Sequence, residues 1–202
     1  DSDFNDLVLN YDFKISKNNQ EVVQSITATF VIRAFGASSH NGFGFTLPKV
    51  DPKDIVSVNG FDVTNNNVFS IAGNGLENGQ NKATIIVFDD AYRVMPPTGG
   101  GTGANTQTSY GYTEPVTVVV EIDFDNINNP ITFSELNIGT FNPFMIVGTT
   151  VDGAPGVRGR EIHLPNYEPS DLFDNSYFQS VSDDSSPNEG RYFVTANNLP
   201  WA

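Results

Sequence analysis

The sequence contains no cysteine and few basic residues. Ten Lys and Arg stand against 24 Asp and Glu, which gives a formal net charge of −14 at pH 7. Without cysteine the chain can form no disulfide framework and no thiolate metal or redox site. A surface this acidic repels phosphate backbones and anionic lipid, so we expect no nucleic-acid partner. The same surface attracts cations.

Long apolar runs are also missing. No stretch approaches the roughly 20 residues that span a bilayer, and no signal peptide is recognisable, so we expect no direct membrane insertion. The chain starts and stops inside what look like structured motifs, and we expect it to be part of a longer protein. With 202 residues, 38% of them hydrophobic and 16 of them Phe, it can build a sizeable core. We predict one monomeric domain over residues 1–202.

Apolar residues recur at every second position wherever a period is clear. This alternation runs through 7–15, 25–36 and 117–125, and it is typical of half-buried strands in antiparallel sheets. Residues 83–88 form a continuous apolar run, which indicates a strand buried on both faces. No window of useful length shows a helical period. The sequence therefore predicts an all-β fold, an antiparallel β-sandwich with long loops.

Turn signals are frequent between these segments. Asn and Gly tolerate positive φ, so each Asn-Gly pair predicts a turn. The pairs are Asn41-Gly42, Asn59-Gly60, Asn74-Gly75 and Asn78-Gly79. Residues 96–111 contain five glycines and few apolar side chains, so we expect a mobile loop there.

The chain opens with DSDFND, in which Asp1, Asp3, Asn5 and Asp6 crowd four oxygen-bearing side chains into six residues. Calcium takes six to eight oxygen ligands, mostly carboxylates and carbonyls. The first three of these residues match the start of an EF-hand loop, but Asp6 stands where that loop needs glycine and a strand pattern follows at once. We therefore predict a calcium-binding turn that recruits further ligands from distant positions.

Several carboxylates could complete such a site. Asp89 and Asp90 follow an apolar strand, Glu161 lies in RGREIHLP, and Asp183 and Asp184 lie in a polar loop. The alternative is that these residues only cap turns or face solvent. Calcium is favoured over zinc or iron, because the chain has no cysteine and only two histidines.

Motifs spread over the whole chain resemble those of the LruC-type domain. They are DSDFNDLVLNYDF, SHNGFGFTLP, FNPFMI, RGREIHLP and YFVTANNLPWA, in this order. The residues that fall on the family's motif positions are Asp1, Asp3, Asn5, Asp6, Arg160, Glu161, His163, Asn197, Asn198 and Trp201. The resemblance implies a secreted or surface-anchored bacterial protein, such as a lipoprotein or adhesin, so we expect an extracellular, cell-surface location.

Three functions are compatible with this sequence. The first is a non-catalytic, calcium-dependent adhesion module that holds a glycan or a peptide, with Arg160, His163, Tyr110 and Tyr112 as candidate ligand contacts. The second is a structural spacer or cap stiffened by calcium, although such spacers tend to have short loops and tandem repeats. The first is preferred, because this chain has long aromatic-bearing loops and no repeat.

The third function is a glycoside hydrolase, which needs two carboxylates about 5–10 Å apart. Glu121 and Asp123 lie two positions apart on one strand and share a face. That face is polar, and no acid–base pair in apolar surroundings can be recognised. We therefore expect that the protein is not an enzyme.

Overall fold

Two antiparallel sheets pack face to face in the computed structural model, which describes residues 6–151, 153–180, 182–197 and 199–200. The first sheet has the order β1-β2-β6-β4 and the second has the order β5-β3-β7-β8, with β9 also paired to β7. The strands are β1 (Val8–Lys17), β2 (Val23–Ala34), β3 (His40–Leu47), β4 (Ile55–Asn59), β5 (Ala83–Phe88), β6 (Val116–Phe124), β7 (Asn142–Val151), β8 (Ala154–Pro155) and β9 (Glu161–His163). The predicted all-β sandwich is confirmed.

Helices in the described part of the chain are short. The two α-helices are α1 (Ala91–Val94) and α2 (Phe133–Leu136). Single 3₁₀ turns occur at Pro52–Asp54, Ile138–Thr140, Asn175–Tyr177 and Pro187–Glu189. None of these helices is long and apolar enough to cross a membrane.

The alternating patterns place one face of each strand in the core. In β2 the side chains of Ile26, Ala28, Phe30 and Ile32 are fully buried, whereas the residues that alternate with them are only partly covered. β6 alternates in the same way. All six residues of β5 are buried, as its continuous apolar run predicts.

A third layer explains why β5 is buried on both faces. Its Ile86 belongs to a small cluster with Phe69, Phe144 and Ile146, separate from the core between the sheets. The loop that carries Phe69 covers the outer face of the second sheet. This sheet therefore has apolar side chains on both sides, and polar groups on its outer face become buried.

One of the four Asn-Gly predictions is wrong. Gly60, Gly75 and Gly79 have positive φ, but Asn41-Gly42 lies inside β3. A Cβ atom at position 42 would lie 3.0 Å from the carbonyl oxygen of Phe88, so glycine there permits close strand approach rather than a turn.

The glycine-rich loop 96–111 is fastened at its centre. Ala104 and Phe35 exchange two backbone hydrogen bonds, and the Tyr92 hydroxyl accepts one from the Gly103 amide. The Asn105 side chain donates to the carbonyl oxygens of Arg33 and Thr113. The prediction of a mobile loop did not include these hydrogen bonds, because several of them are made to the backbone of Arg33 and Phe35, which are far away in the sequence.

Candidate functional site

The sandwich is open along one side, between β1 and the β7–β9 region. A groove of about 800 Å³ lies there. On one wall are Leu9 and Phe13 of β1, and on the other are Met145 of β7 and Ile162 of β9. Met145 and Ile162 are paired neighbours in the second sheet, so the second wall is a continuous apolar surface.

The groove is apolar over most of its length. Its lining residues are Asp6, Leu7, Leu9, Tyr11, Asp12, Phe13, Ile15, Phe43, Ile138, Gly139, Phe141, Pro143, Phe144, Met145, Ile162, His163, Leu164, Pro165, Tyr167 and Pro200. Among these described residues there are two carboxylates and no Lys or Arg. The groove therefore combines apolar walls with a negative charge.

The wall formed by β1 lacks the cover that closes the rest of the core. Tyr11 is 57% exposed, whereas Phe30 on the neighbouring strand is fully buried. Phe13 forms the base of this wall, with its ring centroid 4.8 Å from that of Phe141 and 6.1 Å from that of Phe45. Edge-to-face packing of this kind fixes ring positions, so the base of the groove is preformed.

Asp6, the last residue of the predicted calcium turn, lines this groove. Asp1, Asp3 and Asn5 lie outside the described residues. Asn198 and Trp201, named above for their resemblance to an LruC-type motif, lie outside them too.

Asp89 is engaged entirely by neighbouring groups. One carboxylate oxygen accepts from the backbone N–H groups of Thr64 and Asn65, at 2.5 and 2.6 Å, and the other accepts from Arg93 at 2.8 Å. Burial alone would raise the pKa of Asp89, but the hydrogen bonds from Arg93, Thr64 and Asn65 lower it. This carboxylate fixes the 61–80 loop to the end of β5.

Asp90 caps α1. Its side chain accepts from the Tyr92 amide at 2.9 Å and contacts His40 Nδ1 at 2.8 Å. Ring stacking of His40 on Tyr92, at 4.7 Å, completes this group. Asp90 therefore performs the turn-capping role that the sequence left open as an alternative.

Asp183 and Asp184 take part in local contacts of the C-terminal segment. Asp183 accepts from the Gln179 amide and the Ser185 hydroxyl, both at 2.6 Å. Asp184 pairs with Arg191. Neither residue lines the groove.

Glu161 belongs to a buried charge network, which we call the Arg158 network. Arg158 lies between two carboxylates, donating to Glu77 at 2.5 and 2.7 Å and also to Glu161. Glu161 further accepts from the Ser170 hydroxyl at 2.5 Å and contacts His163 Nε2 at 2.8 Å. The Glu77, Glu161 and His163 side chains are fully buried, and Arg158 is 10% exposed.

The electrostatics of this network keep Glu161 ionised. Burial would raise its pKa, but the bonds from His163, Arg158 and Ser170 lower it to about 2. His163 lies between the rings of Phe144 and Phe193, with Nδ1 at 2.8 Å from the Asn142 amide oxygen. Both of its partners are acceptors, which only an imidazolium satisfies fully. Burial opposes that form and lowers the pKa of His163, while the Glu161 bond offsets part of the effect.

Each described candidate for a calcium ligand is thus engaged by its own neighbouring residues, and the candidates do not come together at one site. Within the ranges that the structure describes, no group of three or more His, Cys, Asp or Glu is arranged to hold a metal ion. The ligand set expected at the opening turn depends on residues 1–5, so calcium binding stays a prediction.

The remaining sequence candidates lie outside the groove, apart from His163. Arg160 is exposed and donates to the Tyr177 hydroxyl at 2.7 Å. Tyr110 packs beside Gly101 in the glycine-rich loop, and Tyr112 is 66% exposed there. Neither tyrosine is among the lining residues of the groove.

Glu121 and Asp123, the pair considered for glycoside hydrolysis, lie on the exposed face of β6. Asp123 accepts from the Ser57 hydroxyl at 2.9 Å. Both carboxylates therefore lie on the solvent-exposed face of the strand, as the alternating pattern of this segment predicts.

Sequence reasoning missed the groove itself. The alternating pattern identifies the groove side chains only as the apolar faces of strands. This pattern is the same whether other residues cover the apolar face or leave it open. The sequence does not show that β1 is an edge strand, because alternation carries no information on the order of strands in the sheet.

Comparison with known proteins places the chain in a family. Residues 21–202 match the model of a domain of unknown function, DUF4842. The chain belongs to the DUF4842 family. This match covers most of the chain, including β2, the groove wall of β7 and β9 and the whole Arg158 network, but not β1, which forms the opposite wall of the groove.

A solved structure shares the fold of this DUF4842 domain. It is the crystal structure of a "putative lipoprotein from Bacteroides ovatus", with a TM-score of 0.63 and 15% sequence identity. The alignment covers 98% of this chain and 58% of that chain, so this chain corresponds to little more than half of that protein's length. A search of curated proteins gives no match.

Proposed function

We propose that this DUF4842 domain is a non-catalytic binding module of a bacterial surface protein, and that it holds an extended peptide in the groove between β1 and β9. The observation that carries the proposal is the open groove of about 800 Å³ with apolar side chains on both walls. Ligand sites in proteins are concave, mostly apolar and of this size. A purely structural spacer has no need of such a surface.

The composition of the groove favours a peptide over a glycan. Sugars require many hydrogen-bonding groups, and such groups occur instead in an adjoining cleft of about 680 Å³. Several polar side chains of that cleft are already hydrogen-bonded within the protein. Gln80 donates to Glu77 and Ser170, and Asn142 donates to the Glu168 carbonyl.

The proposal includes a calcium ion bound by the opening turn, next to the groove. Asp1, Asp3 and Asn5 precede Asp6 directly, and Asp6 lines the groove. An ion held by this turn would fix the chain where it enters β1 and neutralise carboxylates that otherwise repel one another.

A surface location is supported by the protein of similar fold, which is described as a "putative lipoprotein". The family match is to DUF4842 and gives no evidence for the LruC-type domain that the motifs suggested. The similar fold does not bear on the ligand, so the peptide proposal depends on the groove alone.

Selection from a random peptide library tests the proposal. We expect enriched peptides to be apolar and to lose at least about tenfold in affinity, about 1.4 kcal/mol, against Leu164→Glu. Leu164 lines the groove and is 50% exposed, so a charge there blocks the groove while the core stays intact. Val56→Glu, at a 58% exposed position on β4, is the matched control and should bind like the wild type. Equal binding to both variants would place the peptides elsewhere and reject the groove.

Thermal melting tests the calcium component separately. With calcium at about a hundred times its dissociation constant we expect about 2.7 kcal/mol of stabilisation, which is a rise in Tm of about 5–10 °C over an EDTA sample. Magnesium should have little effect. The rise should disappear in Asp3→Asn/Asp6→Asn and persist in Glu114→Gln, which changes an exposed carboxylate elsewhere. Identical melting in EDTA and calcium would remove the ion from the proposal.

A further inference from the structure

The outer edge of β1 carries no strand among the described residues. β1 is the terminal strand of its sheet and pairs only with β2. The unpaired backbone N–H and C=O groups along such an edge are a template for a further strand. Proteins commonly protect an edge with proline, with bulges in mid-strand or with charged side chains, especially Lys. β1 contains no proline, its register shifts occur only near its ends, beside Leu9 and Ser16, and its only Lys away from the ends is Lys14.

The side chains of β1 show what an added strand would cover. Leu9, Tyr11, Phe13 and Ile15 point to the groove at alternate positions, and all remain partly or largely exposed. A strand placed beside β1 would direct every second side chain into the same groove, against Met145 and Ile162. It would close the sandwich on the side where the two sheets stand open.

The regular part of β1 sets the length of the occupant. Leu9 to Ser16 pair without interruption apart from the end shifts, which is roughly 27 Å at about 3.4 Å per residue. An occupant of about eight residues would fill this edge and insert about four side chains into the groove.

Charge distinguishes among the possible occupants. The lining residues carry Asp6 and Asp12 and no Lys or Arg. The chain as a whole has a net charge of −14, so a second copy would bring a like charge to the same place. A segment with a basic residue beside its apolar positions complements both carboxylates.

We infer that the groove binds its peptide by strand addition: an extended segment of a partner protein, with apolar residues at alternate positions and Lys or Arg at its ends, pairs with the free edge of β1. Main-chain hydrogen bonds to β1 would supply affinity, and contacts between the groove and every second side chain of the peptide would supply specificity. This inference rests on the proposed function and specifies the partner and its mode of binding.

Alternating peptides test the pairing directly. The probe is K-V-T-V-T-V-T-V-K, with blocked ends, titrated against the full chain. In a strand, the N–H groups of alternate residues face opposite edges. Methylating the backbone N of every Val blocks one set of N–H groups, and methylating that of every Thr blocks the other set. We expect the version whose blocked groups face β1 to lose at least about tenfold in affinity, and the other version to bind like the parent peptide.

Two further measurements complete the test. The parent peptide should slow hydrogen exchange of the β1 amides, and replacing both terminal Lys with Glu should weaken binding at least about tenfold in a salt-dependent way. If the peptide binds and Leu164→Glu abolishes binding, but both methylated versions bind equally and β1 exchange is unchanged, strand addition is wrong and the peptide-binding function stands. If no alternating or library peptide binds, both fail. A β1-mediated dimer of the free chain, seen by sedimentation and by protected β1 amides, would replace the partner peptide with a second copy.

Discussion

Arg158→Gln should lower the free energy of unfolding by about 3–5 kcal/mol. The substitution removes the cation that lies between Glu77 and Glu161, both fully buried. Two carboxylates would then remain in a site that water does not reach. Removing one partner of a buried ion pair lowers the free energy of unfolding by more than the intact pair contributes to it, because the other charge stays buried without a partner. Urea unfolding at neutral pH measures the loss as a shift of the midpoint.

A surface pair provides the control for this prediction. Lys82 forms an ion pair with Asp51 at 2.7 Å, but both side chains are about half exposed. Lys82→Gln should cost no more than about 1 kcal/mol. If Arg158→Gln were equally mild, the network would have to admit water or take up a proton, and its assignment as a closed buried network would be wrong.

A second large effect should appear in acid. Glu161 has a pKa of about 2 in the folded chain, against an ordinary value of 4.5. A carboxyl with a lowered folded pKa stabilises the fold above its unfolded pKa, and this contribution is lost as pH falls through the folded value. Between about pH 4.5 and pH 2 the protein should therefore lose about 3 kcal/mol from this group, since each pKa unit corresponds to about 1.36 kcal/mol.

The pH dependence of unfolding free energy measures this contribution. Asp89, whose pKa is also lowered despite burial, adds to the loss in the same direction. Glu161→Gln should flatten the curve between about pH 4.5 and pH 2, whatever its stability at neutral pH, because it removes the titrating group. A curve of unchanged slope in Glu161→Gln would show that Glu161 does not titrate in that range.

The sheet framework could be predicted because it depends on local pattern. Alternation over 7–15, 25–36 and 117–125 gave β1, β2 and β6, and the unbroken run at 83–88 gave a strand covered on both faces. The pattern failed at Asn41-Gly42, where the same two residues that make turns elsewhere lie in mid-strand. There, Gly42 is required by close contact with the Phe88 backbone, which no local signal encodes.

The candidate site was less predictable for a physical reason. Glu77 and Arg158 are 81 positions apart and lie in loops without a period, so nothing in the sequence indicates that they pair. Glu161 and His163 were identified as functional candidates from their motif, and the structure places them in the same buried network. The groove depends on which strands stand opposite each other, and alternation alone contains no information on that pairing.

The order of strands also determines when this chain can fold during synthesis. β2 pairs with β6, and β3 pairs with β7, so each sheet joins segments about a hundred positions apart. Pairing at such separations is slow, because a long loop must close before any contact forms. The first sheet cannot be completed until the chain has been made as far as Phe124, and the second not until it has been made as far as His163. Through most of translation β2 and β3 therefore lack their central partners, and we expect the nascent chain to depend on protection from aggregation during that interval.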